Sequence, residues 1–125
     1  GTWESWTAWR EALIEYYLGL GRWACPIGSL ATQAAMSDPL LERIIADSMD
    51  GWRDALAAGV AKMQAAGHVD PSADPVRIAV VILAAIQGGL VMSQPLRAAW
   101  PLEAALDSAL DPLDRASTTA ARRQS

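Results

Sequence analysis

The residue types that carry catalysis and metal binding are scarce in this chain. Cys25 and His68 are the single cysteine and the single histidine. Neither an internal disulfide nor a Cys/His zinc pattern can form from one residue of each kind. We expect Cys25 to be a small buried hydrophobic residue and His68 to lie at the surface or to cap a helix. A reducing cytoplasm is the natural compartment for such a chain.

Carboxylates offer the next candidate for chemistry. Asp47, Asp50 and Asp54 fall on one side of a predicted helix, which could indicate a cation site. Arg43 and Arg53 lie within one turn of them, and this pattern is more typical of a solvated face with ion pairs. Nucleophile and base pairs, phosphate loops and paired catalytic carboxylates are not evident. We therefore expect no enzyme, no cofactor and no metal.

Tryptophan is the unusual residue of the composition. The chain has six tryptophans and two tyrosines but no phenylalanine. A single buried tryptophan is usually a core residue. Together, these aromatic side chains supply more flat apolar surface than a core of this size needs. This excess favours a pocket for a hydrophobic ligand.

Charge and composition limit the class of protein. Ten basic and fourteen acidic side chains give a net charge of −4, and the part before Arg115 carries −7. Such a surface argues against nucleic acid as a direct partner of this chain, because phosphate binding needs clustered cations. An apolar fraction of 52% predicts one packed domain of residues 1–114 followed by a disordered tail of residues 115–125. The first residues do not resemble a signal peptide, and Gly1 in place of methionine suggests an excised fragment.

Helical periodicity and start signals predict about five helices. The first helix is predicted from Thr2 to Gly19 on the basis of its apolar stripe, and a short helix from Ser29 to about Ala35 follows a loop. Two Asp-Pro pairs predict helix starts, because the aspartate can cap the helix and proline fits its first position. Asp38-Pro39 begins a long helix that ends at Ala66, and Asp74-Pro75 begins another that ends at Pro95. The last helix spans 101–110. Because no segment alternates with a period of two, the fold class is all-α.

The fourth predicted helix carries no charge between Ile78 and Met92. Fifteen residues rise about 22 Å, which is short of a bilayer core of about 30 Å, so a membrane span is not expected. A soluble helix that is apolar all round needs cover on every side, and a second chain can provide it.

Several short motifs share the order and spacing of one known family. They are Cys25-Pro26-Ile27-Gly28-Ser29-Leu30-Ala31, Asp38-Pro39-Leu40, Trp52, Ala66-Gly67, Asp74-Pro75 and Ala85-Ile86-Gln87-Gly88-Gly89-Leu90. In these motifs the chain resembles the C-terminal regulatory domain of TetR-family transcriptional repressors, within the LmrA/YxaF-like branch of multidrug-responsive regulators. The resemblance covers about Leu13 to Leu110.

The resemblance implies a helical bundle that binds an effector and forms a homodimer through its last two long helices. It also implies an N-terminal helix-turn-helix domain, which is absent from this chain, and release of the intact protein from operator DNA when the effector binds. The expected effector is a hydrophobic, aromatic small molecule, with a cationic one as an option given the acidic body.

Candidate residues follow from the aromatic excess and the family's effector cavity. The predicted ligand-binding residues are Trp6, Trp9, Leu13, Tyr16, Tyr17, Trp23, Met49, Trp52, Leu56, Leu83 and Gln87. Ser48 and Thr32 are further polar candidates. The predicted dimer interface consists of Val81, Ala85, Gly88, Gly89, Met92, Leu102, Ala105, Leu106 and Ala109.

Two other functions stay open. The chain could be a helical homodimerisation module with a filled core and no physiological ligand. An enzyme acting on a hydrophobic substrate would require a titratable pair converging in the cavity, and it ranks last.

Overall fold

The computed structural model describes residues 3–20 and 38–111, with side chains through residue 16 in the first of these segments. Its helices are α1 (Trp3–Leu20), α2 (Pro39–Ala65), α3 (Pro75–Leu96) and α4 (residues 100–111). This described part contains no strand, which confirms the predicted all-α class. The short helix predicted at 29–35 and the tail after residue 114 lie outside it.

Both Asp-Pro pairs begin helices as predicted. The Asp38 carboxylate accepts hydrogen bonds from the backbone N–H of Leu40 at 3.0 Å and of Leu41 at 3.5 Å. Asp74 repeats the arrangement one helix later. The first amides of a helix lack partners within the helix, so an aspartate oxygen that accepts from them favours a start at this position.

A short linker turns the chain between α2 and α3. Gly67 adopts a φ of 80°, and the His68 backbone N–H donates to the Met63 carbonyl, so the His68 backbone rather than its exposed side chain caps α2. Gln64 Nε2 then donates to the carbonyls of Asp70 at 3.1 Å and Ala73 at 2.7 Å. These bonds fix the linker, and α3 packs against α2.

Helices α3 and α4 approach each other closely around Gly89. A Cβ placed on Gly89 would lie 2.8 Å from Leu102 Cα, a distance that real side chains do not tolerate. One turn later in α3, the buried Ser93 Oγ accepts a hydrogen bond from the Leu102 backbone N–H at 3.3 Å. A glycine and a small hydroxyl therefore allow the two helix backbones to come together.

The end of α3 differs by one residue from the prediction. The helix continues through Pro95 to Leu96, and Arg97 then takes a left-handed conformation with φ of 49°. Proline loses the hydrogen bond to the carbonyl four residues earlier and crowds that carbonyl, and α3 ends one residue after it.

The core lies where the four helices meet. Its side chains that are fully excluded from solvent are Val60, Met63, Val69, Ala79, Ile82, Leu102 and Leu106. Trp6 and Ile14 add α1 to this cluster. Trp6 Cζ2 lies 3.3 Å from where a Gly59 Cβ would be, so the indole rests on the backbone of α2. One turn after Trp6, Arg10 Nε lies 2.6 Å from Asp107 Oδ1 of α4.

Helix α3 is long and apolar enough to cross a membrane by composition alone. Its mean hydropathy is 2.0, and 39% of the apolar window is buried within the chain. Core helices of soluble proteins have the same properties, so this single helix is weak support for a membrane span.

Candidate functional site

Three tryptophans occupy successive turns of α1 and form the centre of the candidate ligand region. Trp6 is 8% exposed, and Trp3 and Trp9 pack partly buried against the same core. The rings of Trp6 and Trp9 meet edge to face, with centroids 5.7 Å apart and planes at 77°. This geometry places the positive edge of one ring on the negative face of the other, which stabilises the pair.

The next two helices add to the tryptophans of α1, and we call the combined set, as far as it packs around Trp6 and Trp9, the aromatic cluster. Leu56 of α2 and Leu83 of α3 are buried in the core that contains Trp6, and Met49 and Trp52 pack against it. The structure therefore brings together seven of the predicted ligand-binding residues, namely Trp6, Trp9, Leu13, Met49, Trp52, Leu56 and Leu83. All seven belong to the domain core or pack against it.

Other polar candidates stand elsewhere. Tyr16 is 60% exposed, so its side chain is not buried with the tryptophans. Ser48 is exposed and its hydroxyl donates to the Ile44 carbonyl at 3.0 Å, so it does not line a pocket. The Tyr17 side chain, Trp23, Thr32 and Cys25 lie outside the described residues.

Gln87 is the polar residue within the apolar α3. It follows Leu83 by one helical turn, so the two side chains share one side of the helix. Its Nε2 atom is buried, and none of the residues 3–20 and 38–111 provides a hydrogen-bond partner for it. An amide nitrogen withdrawn from water without a partner is costly, and native proteins contain few such groups.

Two open clefts flank α1. One, of about 360 Å³, lies between α1 and α4 and is lined by Trp3, Thr7, Arg10, Asp107, Leu110 and Asp111. The other, of about 380 Å³, follows α1 alone and is lined by Trp3, Glu4, Thr7, Ala8 and Glu11. Neither is lined by a predicted ligand-binding residue, so neither is the pocket that the sequence predicts.

The residues predicted to form the dimer interface separate into two groups. Gly89, Leu102, Leu106 and Ala109 are buried between α3 and α4 of the same chain, and Ala105 lies beside Gly89. In the single chain these five residues are used in packing within the domain, and their assignment to a contact between chains stays a prediction. The sequence pattern could not separate the two uses, because either contact buries apolar side chains.

The second group is exposed and forms what we call the outer face of α3. Val81 is 43% exposed and Met92 54% exposed, Gly88 has open space around it, and Ala85 is half-buried at the edge. Val76, Val80 and Val91 belong to the same face and were not predicted, and Ala84 lies there beside them. Their signal was the uninterrupted apolar character of α3, which does not indicate which side faces inward.

The acidic cluster of α2 forms ion pairs, as its arginines predict. Arg53 lies 2.9 Å from both Asp50 and Asp54, in exposed positions. Its hydrogen bond to Asp54 raises the pKa of the Arg53 guanidinium above its usual value. Among residues 3–20 and 38–111, no group of three or more His, Cys, Asp or Glu side chains is placed to hold a metal ion.

The described part is an all-helical domain with tryptophans packed in its core and an exposed apolar face on α3. The chain belongs to the tetracyclin repressor-like C-terminal domain family, whose match covers residues 4–109. Domains of this family are regulatory, bind small-molecule effectors, dimerise and are generally not enzymes. No curated protein and no solved structure gives a significant match.

Proposed function

We propose that this chain is the effector-sensing and dimerisation domain of a cytoplasmic transcriptional repressor. The effector is a hydrophobic, aromatic small molecule, and its binding releases the intact protein from operator DNA through a DNA-binding domain that precedes this one. Residues 1–114 form the domain, and residues 115–125 form its tail.

The observation that carries this proposal is the aromatic cluster that joins α1 to α2 and α3. The indole of Trp6 rests on Gly59 of α2, and Leu83 of α3 belongs to the same cluster. A flat apolar ligand that inserts beside these rings changes how α1 lies on α2. Because α1 comes first in the domain, a DNA-binding domain that precedes it is displaced with it, and the ligand selects one of two states.

The dimer of this proposal forms through the outer face of α3. Val80, Val81, Val91 and Met92 are each at least 43% exposed in the single chain. Exposed apolar surface of this kind marks interaction sites in soluble proteins. Ala84 and Gly88 lie in the middle of the face, where small residues let another helix approach closely.

Tryptophan fluorescence and thermal unfolding test the sensing function on this chain. A panel of aromatic dyes, antibiotics and aromatic metabolites is titrated, and at least one compound is expected to quench the emission and raise the melting temperature. Replacing Trp52 with leucine should weaken that response. Trp100→Leu is the matched control, because Trp100 is 60% exposed and lies outside the cluster.

The alternative is a dimerisation module without a ligand. It is favoured by the tight seating of Trp6, which is 8% exposed and fills space as a core residue does. This alternative predicts a stable dimer that no member of the panel stabilises.

A further inference from the structure

Within the part of the chain that the structure describes, the buried Nε2 atom of Gln87 has no hydrogen-bond partner. Gln64, by contrast, uses the same group to donate to two carbonyls of the α2–α3 linker. The described part of the fold therefore satisfies one glutamine amide twice and leaves the other without an acceptor. A group of this kind is explained most directly by a partner that arrives from outside the chain.

Gln87 lies where the core side of α3 meets its outer face, since Leu83, one turn earlier, is buried and Val91, one turn later, is exposed. It lies one turn after Leu83 and close to one turn before Leu90, and both leucines are buried in the core that contains Trp6. From Ile78 to Met92 it is the single amide in a helix without charges. A ligand packed against the apolar side chains can therefore meet one strong donor at this position.

We propose that Gln87 is the specificity-determining residue of the effector site, and that its Nε2 donates a hydrogen bond to an acceptor atom on a neutral aromatic effector. The acceptor is a carbonyl, ether or ring nitrogen. This inference rests on the proposed function, since it requires an effector at the aromatic cluster.

Charge places a limit on the same ligand. The buried carboxylate of the described part, Asp70, accepts from the Ser72 backbone N–H and hydroxyl at the α2–α3 linker. The carboxylates of Glu11, Asp50 and Asp54 are exposed on the outer sides of α1 and α2. A cation at Gln87 would therefore meet the positive end of an amide without a compensating anion among these residues, which favours a neutral effector.

Matched aromatic probes test the proposal on the 125-residue chain. The pairs are 9-fluorenone with fluorene and 2-acetylnaphthalene with 2-ethylnaphthalene, and N-methylacridinium serves as the cation. Each ketone is expected to bind about five- to tenfold more tightly than its hydrocarbon, measured by isothermal titration. A tenfold ratio corresponds to about 1.4 kcal/mol. The acridinium should bind more weakly than 9-fluorenone.

Gln87→Met removes the amide while keeping the length of the side chain. The ketone preference should disappear, and the unliganded chain should melt a few degrees higher because a buried unpaired donor has gone. Gln87→Leu, which also removes the donor, should lose the same preference, and it serves as the second variant where Gln87→Met folds poorly. Gln94→Met is the control, since Gln94 is exposed on the same side of α3 two turns later, and it should leave the ketone preference unchanged.

Two failures are distinguishable. If ketone and hydrocarbon bind equally to the wild-type chain and to Gln87→Met, the role of Gln87 is overturned while the effector site stands. If no aromatic probe binds at all, the proposed function fails and the inference fails with it.

Discussion

The two sides of α3 have almost the same composition and opposite environments. Inward lie Ile82, Ile86 and Leu90, each at most 1% exposed, and outward lie Val81 and Val91, at 43% and 69%. Adjacent glycines repeat the contrast, since a Cβ on Gly89 would collide with Leu102 whereas one on Gly88 would meet nothing within 4 Å. Apolar character alone therefore does not distinguish contacts made within the chain from contacts available to a second chain.

The largest expected effect is a difference in the free energy of unfolding between a truncation in the core and a truncation on the outer face of α3. Leu106 of α4 packs inward and is fully buried, so Leu106→Ala should lower the free energy of unfolding by about 2–5 kcal/mol. Val91→Ala, on the outer face, should cost the isolated chain less than about 0.5 kcal/mol. Urea unfolding at low protein concentration measures both values. Equal losses would show that the outer face is covered within the chain.

Charge on the outer face tests the proposed dimer. Gly88→Glu places a carboxylate where a second chain is expected, and it should weaken dimerisation at least tenfold, about 1.4 kcal/mol. The monomer should remain folded, because the position is open to solvent. Analytical ultracentrifugation gives the dissociation constant. Gly51→Glu, at an open helical position of α2, is the matched control, and a dimer that tolerates Gly88→Glu would place the interface elsewhere.

Alanine at the two adjacent glycines should shift stability in opposite directions. Gly89→Ala forces α4 away from α3 and should cost about 1–3 kcal/mol from overpacking, which outweighs the gain in helix propensity. Gly88→Ala should stabilise the monomer by about 0.5–1 kcal/mol, since alanine loses less backbone entropy in a helix. Thermal unfolding of both variants at micromolar concentration checks the signs. A stabilising Gly89→Ala would contradict the close approach of α3 and α4.

The smallest effect is expected on the outer side of α4. Asp107 follows Leu106 in sequence, is largely exposed and pairs with Arg10 at 2.6 Å. Asp107→Asn should lower stability by about 0.2–1 kcal/mol, and the loss should shrink in high salt because exposed pairs are screened. Urea titrations at two salt concentrations measure it. A loss that does not change with salt would indicate that Asp107 acts through packing.

Local signals in the sequence were sufficient for the helices. Asp38 and Asp74 predicted two helix starts because capping needs only the neighbouring residues, and Gly67 predicted a stop for the same reason. The end of α3 was predicted one residue early, because Pro95 is tolerated in the last turn. Information within a few residues of each boundary was enough.

Tertiary partners could not be inferred in the same way. Leu102 and Leu106 are apolar whether they pack within the chain or against another chain. Only the folded structure shows that they belong to the core of the single chain. Tyr16 has the type expected of a ligand contact, but its position around α1 turns it outward. Gln87 was predicted as a ligand-binding residue because it is a polar residue within an apolar helix. Whether its Nε2 atom has a hydrogen-bond partner among the described residues depends on all the residues packed around it, and a local sequence pattern does not reveal those neighbours.

The short connection between α3 and α4 has a consequence for the order of assembly. Three residues separate the helices, and the contacts at Gly89 and Ser93 join positions only about ten residues apart in the chain. Contacts so close in sequence form early during folding, because little loop entropy opposes them. We therefore expect a fast refolding phase independent of protein concentration, in which this helical hairpin forms, before any slower phase that depends on the meeting of two chains.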